Sequence, residues 1–516
     1  MMAFIRRHQL GLLFALFIPL VAVFYPQYYL VSDEHHYART AHLLAQEHTT
    51  SISDILRSGI FHQSTDSKYS SKYPVGFPLL MAPFAWLSFE LIFLVNILLH
   101  LLAAYCFSLI LSKRKVPIAY TALYLFFPFF AYYSVSLFTD YTAAALLMIL
   151  LYFFTTSRLK WRGILIGLLL GMLLFIRPVA LLFVTFFYFK PAWGWIQGII
   201  RKRWVMDRTT FFSLLVLAPF FLAFLFFSIS DVLGGYTSSD VNSLWVFDNP
   251  APMWSVFLNF IYQAEVLMLI YPFMFLLLAF GILKRKPKNA PHLYGAMLYV
   301  FFFSFVDYTT NVTKIVGLTS LVRHTRYVLP VIAFLLPDYA EQLHRLISKL
   351  RRFSKPALGA ILICLVLSSA LLLFLHHGAT TRNRALMEDI YAATSEHDLI
   401  VGNTLAYLMH DALGERYYLG IDDYGDTVDG VFQPSLTGHN TSAEYISSFV
   451  EQHPTSVVIL RGKYINNFPE TNKQLHGLIS RYDGKLALQN EYSCNCFGLG
   501  DTLSVEMYNL TISGKK

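Results

Sequence analysis

What this chain can fold into is set by its apolar runs and by where the basic residues fall between them. A membrane-crossing helix needs about 20 predominantly apolar residues. The first run lies within Met1 to Leu30, after Arg6 and Arg7. Others lie near 88–111, 116–138, 140–157, 161–176, 178–192, 209–230, 257–283, 292–308, 326–342 and 356–376, which predicts eleven spans. Under this arrangement Lys113-Arg114-Lys115, Arg158-Leu159-Lys160, Arg201-Lys202-Arg203, Lys284-Arg285-Lys286 and Arg351-Arg352 all share one side. The opposite loop from Asp231 to Trp254 has no Lys or Arg. Cytoplasmic loops collect Lys and Arg, so the N-terminus is expected in the cytoplasm and the C-terminal region outside. A bacterial inner membrane fits that layout.

Composition agrees. The chain is 56% hydrophobic and 14% charged, where soluble domains carry about 25% charged residues. Its net charge of +8 sits largely in the short basic loops and does not call for nucleic acid. Cys106 and Cys364 lie in apolar runs, and Cys494 and Cys496 form a C-x-C. No Cys/His ligand spacing appears, so neither a metal nor a disulfide framework is indicated.

Directly after the first span comes Ser32-Asp33-Glu34-His35-His36-Tyr37-Ala38-Arg39. Two adjacent carboxylates at the lip of a span are costly unless they face water or a cavity. Tyr37, Thr40, Ala41 and Leu44 follow helical spacing, and Ser32 or Asp33 is a natural N-cap. Two readings stand: a capped amphipathic helix on the membrane surface, or a catalytic carboxylate pair at its boundary. A short helix near Ile52-Leu56 is expected next. Lys72-Tyr73-Pro74-Val75-Gly76-Phe77-Pro78 is then expected as a rigid, non-helical turn.

From about Gly378 the composition turns polar. Short apolar segments at Asp398-Val401, Tyr417-Gly420, Ser456-Leu460 and Leu503-Met507 alternate with helix-like stretches at Ser442–Gln452 and Lys473–Tyr482. This predicts a small α/β domain. The expected division is a transmembrane domain over 1–377, with an outer loop at 31–87, and an extracytoplasmic domain over 378–516.

The outer ends of the spans hold the unusual residues: Asp33, Glu34, Lys72, Asp140, Arg177, Arg323, His324, Arg326 and Tyr327. A single arginine there reads as snorkelling or headgroup contact. Acids and cations together on one face suggest a site that holds an anion and moves a proton.

These pieces resemble a known superfamily. Asp33-Glu34-His35-His36-Tyr37-Ala38 and Lys72-Tyr73-Pro74-Val75-Gly76-Phe77-Pro78-Leu79-Leu80 are similar to the first outer loop of GT-C fold glycosyltransferases. That superfamily includes protein O-mannosyltransferases and lipid A aminoarabinose transferases. Gly167 to Gly171 followed by Arg177-Pro178 resembles its G-x-x-x-G…RP span. Arg323-His324-Thr325-Arg326-Tyr327 to Pro330 resembles its RY-x-x-P span. Together they cover about the first 340 residues.

The resemblance implies an enzyme that transfers a sugar from a polyprenyl-phosphate donor to a glycan, lipid or protein acceptor outside, with inversion. Asp33 matches the general base and Glu34 the second acid. Lys72 matches a donor-phosphate ligand, with Arg326 and Arg323 beside it. His36, Tyr37, Tyr73, Asp140, Arg177 and Tyr327 are further candidate contacts to donor or acceptor. Many relatives carry Glu where this chain has Asp140. Inversion needs one carboxylate to activate the incoming hydroxyl, and a departing phosphate needs positive charge rather than a proton. No cofactor or metal is required.

The rival readings are a multi-span transporter or lipid-linked-sugar flippase, and a receptor anchored by its spans. A transporter is expected to show internal repeats and midplane charges. Neither is found here.

Overall fold

The computed structural model describes residues 2–52, 62–65, 68–71, 73–200, 207–230, 256–257, 259–261, 291–305, 317–396, 398–402, 416–420, 457–462, 469–493 and 502–510. Its helices are α1 (Met2–Val23), α2 (Ser32–Gln46), α3 (Gly76–Leu87), α4 (Leu94–Lys113), α5 (Ala122–Leu125), α6 (Pro128–Ser134), α7 (Thr139–Thr155), α8 (Arg162–Ile176), α9 (Thr185–Ile200), α10 (Arg208–Ser230), α11 (Pro291–Ser304), α12 (Gly317–Lys349), α13 (Ser354–Ala392) and α14 (Pro469–Arg481). The strands are β1 (Ser51–Ile52), β2 (His62–Thr65), β3 (Lys68–Ser70), β4 (Leu399–Gly402), β5 (Tyr417–Gly420), β6 (Val457–Gly462), β7 (Lys485–Ser493) and β8 (Thr502–Leu510).

The chain divides into two compact units. One comprises residues 1–25, 93–229 and 239–374, the other 26–92, 230–238 and 375–516.

The first unit is helical and built round α7, which packs against α4, α8 and α12. Thr139 to Leu151 is buried on every side of that helix, as expected of an apolar helix inside a bundle. Helix α10, by contrast, has only 17% of its most apolar window buried among the described residues. Among the described residues three helices are long and apolar enough to cross a membrane, and two bent helix pairs bring the number to five. The chain is a multi-pass membrane protein. The loop from Asp231 to Trp254 and nearly all of the span near 257–283 lie outside the described residues.

Prolines account for the places where an expected span is not one straight helix. The run near 116–138 is split among a 3₁₀ turn at Ile118–Thr121, α5 and α6. Pro128 cannot continue a helix from behind, and Phe127 before it is extended, with φ −68° and ψ 121°. Helices α6 and α7 then meet at 112°. Likewise Arg177, next to Pro178, takes φ −156° and ψ 86° and ends α8. The chain continues as a 3₁₀ helix, Pro178–Val184, into α9.

Helix α8 owes its position to glycine. Gly163, Gly167 and Gly171 recur every four residues and so share one face. They lie against Thr209, Ser213 and Phe220 of α10. This is the close small-residue packing that lipid favours. A Cβ on Gly167 would sit 2.6 Å from the Ser213 carbonyl oxygen and 2.7 Å from Val216 Cβ. Gly167→Val should therefore lower stability by about 1–3 kcal/mol, the usual scale of overpacking, read as thermal unfolding of purified protein in detergent. An unchanged midpoint would mean that α8 and α10 do not meet at this seam.

The second unit carries two sheets. One is antiparallel with order β1-β3-β2; the other is mixed with order β5-β4-β6-β8-β7, parallel across β5, β4 and β6 and antiparallel across β6, β8 and β7. Leu399, Val401, Val457 and Ile459 of the larger sheet form a core with Leu475, Leu478 and Ile479 of α14. The four expected strands and the helix at Lys473–Tyr482 are present, and β7 is an addition. The helix expected at Ser442–Gln452 and the C-x-C at Cys494 lie outside the described residues.

Of the short helix expected near Ile52-Leu56 only Ile52 is described, as a strand residue pairing with Tyr69, and the rest lies outside the described residues. Two local expectations are corrected. Gly76-Phe77-Pro78 opens α3 instead of forming a non-helical turn. A proline in the first turn of a helix forfeits no hydrogen bond, because its N–H would have no partner there. The N-cap of α2 is Val31, with no side-chain cap, rather than Ser32 or Asp33.

Candidate active site

In the second unit, the sequence Ser32 to Arg39 forms the first half of α2. Residues 34 to 41 are buried right round the helix, including Arg39 at 0% exposure. It is therefore not an amphipathic helix lying on a membrane surface. Glu34 explains how the helix starts without a side-chain cap. Its Oε2 accepts the Leu30 N–H at 2.8 Å, so an acid inside the first turn takes up a backbone donor just ahead of it, much as in a capping box. Both acids also lie at the positive end of the helix dipole.

Asp33 is turned differently. It is partly exposed, and its Oδ1 accepts the Tyr73 hydroxyl at 2.7 Å. Helices α2 and α3 pack together, which brings Tyr73, three residues before α3, to Asp33. The Tyr73 ring meets His36 edge-on at 5.2 Å and Tyr37 at 5.0 Å, and Tyr37 meets Phe77 at 5.4 Å. Asp33, His36, Tyr37 and Tyr73 thus form one cluster. Behind it, Tyr29 bonds His35 Nδ1 at 3.0 Å and stacks on Tyr28. Asn383 of α13 donates to the Tyr29 carbonyl at 3.3 Å. Lys72, expected beside Tyr73, lies outside the described residues.

The first unit holds a second cluster. Asp140 stands in the first turn of α7 and Arg177 follows the last residue of α8. Each charge is at the helix end whose dipole favours it. Arg177 Nη2 and Asp140 Oδ1 form an ion pair at 2.7 Å, so the two termini share one end of the unit. Tyr299 of α11 interacts with the Arg177 guanidinium and donates to the Tyr327 carbonyl at 3.2 Å. Arg326 lies over the rings of Phe138 and Tyr327, at 5.2 Å and 4.6 Å from their centroids, and donates to the Tyr327 hydroxyl. Asp140, Arg177, Arg326 and Tyr327 are thereby brought together. Arg323 lies on α12, but its side chain is outside the described residues.

Sequence reasoning missed Tyr299, Phe138 and the Tyr29–His35 pair. Tyr299 sits in the apolar run Tyr294 to Phe303, where no polar neighbour distinguishes it. Among the described residues no group of three or more His, Cys, Asp or Glu is placed to hold a metal ion.

No protein-family model matches the chain, and no curated protein matches it by sequence. Solved structures do. The crystal structure of ArnT from Cupriavidus metallidurans bound to undecaprenyl phosphate shares 12% identity with a TM-score of 0.63, over 98% of this chain and 99% of that one. The apo structure of the same protein shares 13% identity with a TM-score of 0.57, over 97% of each. The likeness runs almost end to end, and it is to the GT-C fold that the first-loop and arginine motifs resemble.

Proposed function

We propose that this chain is an integral-membrane glycosyltransferase that moves a sugar from a polyprenyl-phosphate donor to an extracytoplasmic acceptor, with inversion. One observation carries the reading: the chain has, over nearly its whole length, the fold of a protein crystallised with undecaprenyl phosphate. The two clusters supply fitting chemistry. Asp33 takes the proton of the acceptor hydroxyl as that oxygen forms its bond to the sugar's anomeric carbon. The bond from that carbon to the phosphate oxygen breaks, and the phosphate leaves with the electron pair. The Tyr73 hydroxyl holds the Asp33 carboxylate in one orientation. Glu34 fixes the start of the helix that presents it. Lys72, Arg326 and Arg323 hold the donor phosphate, whose charge grows in the transition state. The scheme needs no metal. His36, Tyr37, Asp140, Arg177 and Tyr327 contact donor or acceptor.

In this reading residues 1–377 carry catalysis and 378–516 form an accessory extracytoplasmic domain. The protein works in a bacterial inner membrane with its site on the periplasmic side. The acceptor is a glycan, lipid or protein.

Purified protein incubated with a panel of polyprenyl-phosphate sugars and a crude envelope acceptor should deplete one donor and release its polyprenyl phosphate. Depletion of none of them, by protein shown to be folded, contradicts the proposal.

A further inference from the structure

The Asp33 carboxylate is oriented by Tyr73, but its backbone is held from the other side, by a set of bonds just ahead of α2. The Tyr29 hydroxyl and His35 Nδ1 are bonded at 3.0 Å. The Leu30 N–H donates to Glu34 Oε2 at 2.8 Å. The His35 N–H donates to the Val31 carbonyl at 3.2 Å. Three consecutive residues are thereby tied to the two that follow Asp33. Tyr28, Tyr29 and His35 are fully buried, so this turn is packed as one piece.

Helix α13 grips that piece. From Leu375 onward it belongs to the second unit, as the first loop does. Thr380 and Asn383 are three residues apart, hence on one face of the helix, and both are buried. Thr380 Oγ1 accepts the Gln27 N–H at 3.2 Å, and Asn383 Nδ2 donates to the Tyr29 carbonyl at 3.3 Å. Beside them Arg384 Nη1 reaches Glu90 Oε1 at 3.3 Å.

The same stretch of α13 is fastened to the C-terminal sheet. Asp389 Oδ2 accepts a bond from Asn490 of β7 at 2.7 Å. Arg416, next to β5, donates to the Tyr391 carbonyl at 3.2 Å and lies over the Tyr391 ring. The helix therefore joins the sheet to the turn that carries Asp33.

Asn383 has no exposed surface to offer a substrate. Leucine has nearly its shape and would fill a buried place without the cost of desolvating an amide. The amide is explained by the carbonyl it bonds.

We propose that Asn383 is a positioning residue for Asp33. By holding the Tyr29 carbonyl it sets where the turn places the carboxylate against the acceptor hydroxyl, and α13 makes the C-terminal domain part of that support. The inference rests on the glycosyl-transfer reading and gives the accessory domain a task within it.

Asn383→Leu keeps the size of the side chain and removes the donor. In purified full-length protein in detergent, without donor, backbone hydrogen exchange over residues 30–36 should quicken roughly tenfold, the effect of losing about one buried hydrogen bond. Exchange in β6 and β8 should stay as it is. With the sugar donor found from the panel, kcat per donor-binding site should fall about 10- to 100-fold, the scale of a misplaced reacting group, while donor KM holds. A merely structural loss lowers the amount of folded protein and leaves kcat per site unchanged. Thr380→Val, which removes the acceptor of the Gln27 N–H, should give the same pattern more weakly, and it carries the test if Asn383→Leu does not fold. Unaltered exchange over 30–36 overturns the proposal, and so does faster exchange there with kcat unchanged or with the loss confined to donor KM. Wild-type protein that transfers sugar from no donor sinks the transferase reading instead, and the exchange measurement then decides by itself whether Asn383 holds the turn.

Discussion

Replacing Asp33 by Asn should lower sugar transfer by about 10²–10⁴-fold, the usual worth of a general base. The change keeps the size of the side chain and an oxygen for the Tyr73 hydroxyl, now bonded to Asp33 Oδ1 at 2.7 Å. Packing of α2 against α3 should therefore survive, and so should donor binding. The measurement is single-turnover transfer at saturating donor. Glu34→Gln is the informative comparison. Its Oε2 accepts the Leu30 N–H and the residue is 1% exposed, so an amide should still serve that bond and cost far less in rate. Wild-type transfer by Asp33→Asn would remove Asp33 from the role of base.

Arg177→Met should destabilise the protein severely. Its partner Asp140 is 5% exposed at the side chain, and a buried charge stripped of its counter-ion typically costs about 3–5 kcal/mol. Asp140→Asn alone should also destabilise, by leaving the guanidinium with less compensation. The double variant should recover much of the loss, because no isolated charge remains. Denaturant or thermal unfolding of the four proteins in detergent closes the cycle. Single variants that each lose no more than about 1 kcal/mol, the scale of an exposed pair, would show that the 2.7 Å contact contributes little. Arg177 would then serve the substrate alone, with no part in bracing α7 and α8.

Much of this architecture was legible because hydropathy and proline act locally. The ends of α7, α8 and α10 fall within a few residues of the expected limits, since apolar runs and their basic or proline boundaries mark them. The strands β4, β5, β6 and β8 stood out as short apolar runs between polar stretches. Strand β7 did not. It lies at the edge of the sheet with most of its side chains exposed, so Lys485 to Ser493 carries polar residues on both faces.

Capping was illegible for a different reason. Ser32 and Asp33 have the right chemistry for an N-cap, but Glu34 satisfies a backbone donor from inside the helix and frees Asp33 to meet Tyr73. That choice depends on where α3 packs, which no local pattern encodes. The pairing of Asp140 with Arg177 was legible only as membership of one face; that they touch follows from α7 and α8 lying side by side. The Arg114–Asp338–His292 network joins residues more than 200 positions apart and left no mark in any single segment.

The most direct test of the central claim uses purified protein in sealed vesicles that hold a sugar-labelled polyprenyl-phosphate donor and an envelope acceptor. Label should leave the lipid and become covalently attached to the acceptor, with one polyprenyl phosphate released per sugar moved, and Asp33→Asn should abolish nearly all of it. Label that crosses the bilayer still attached to its polyprenyl phosphate, at a rate indifferent to Asp33→Asn, would contradict the account and identify a flippase.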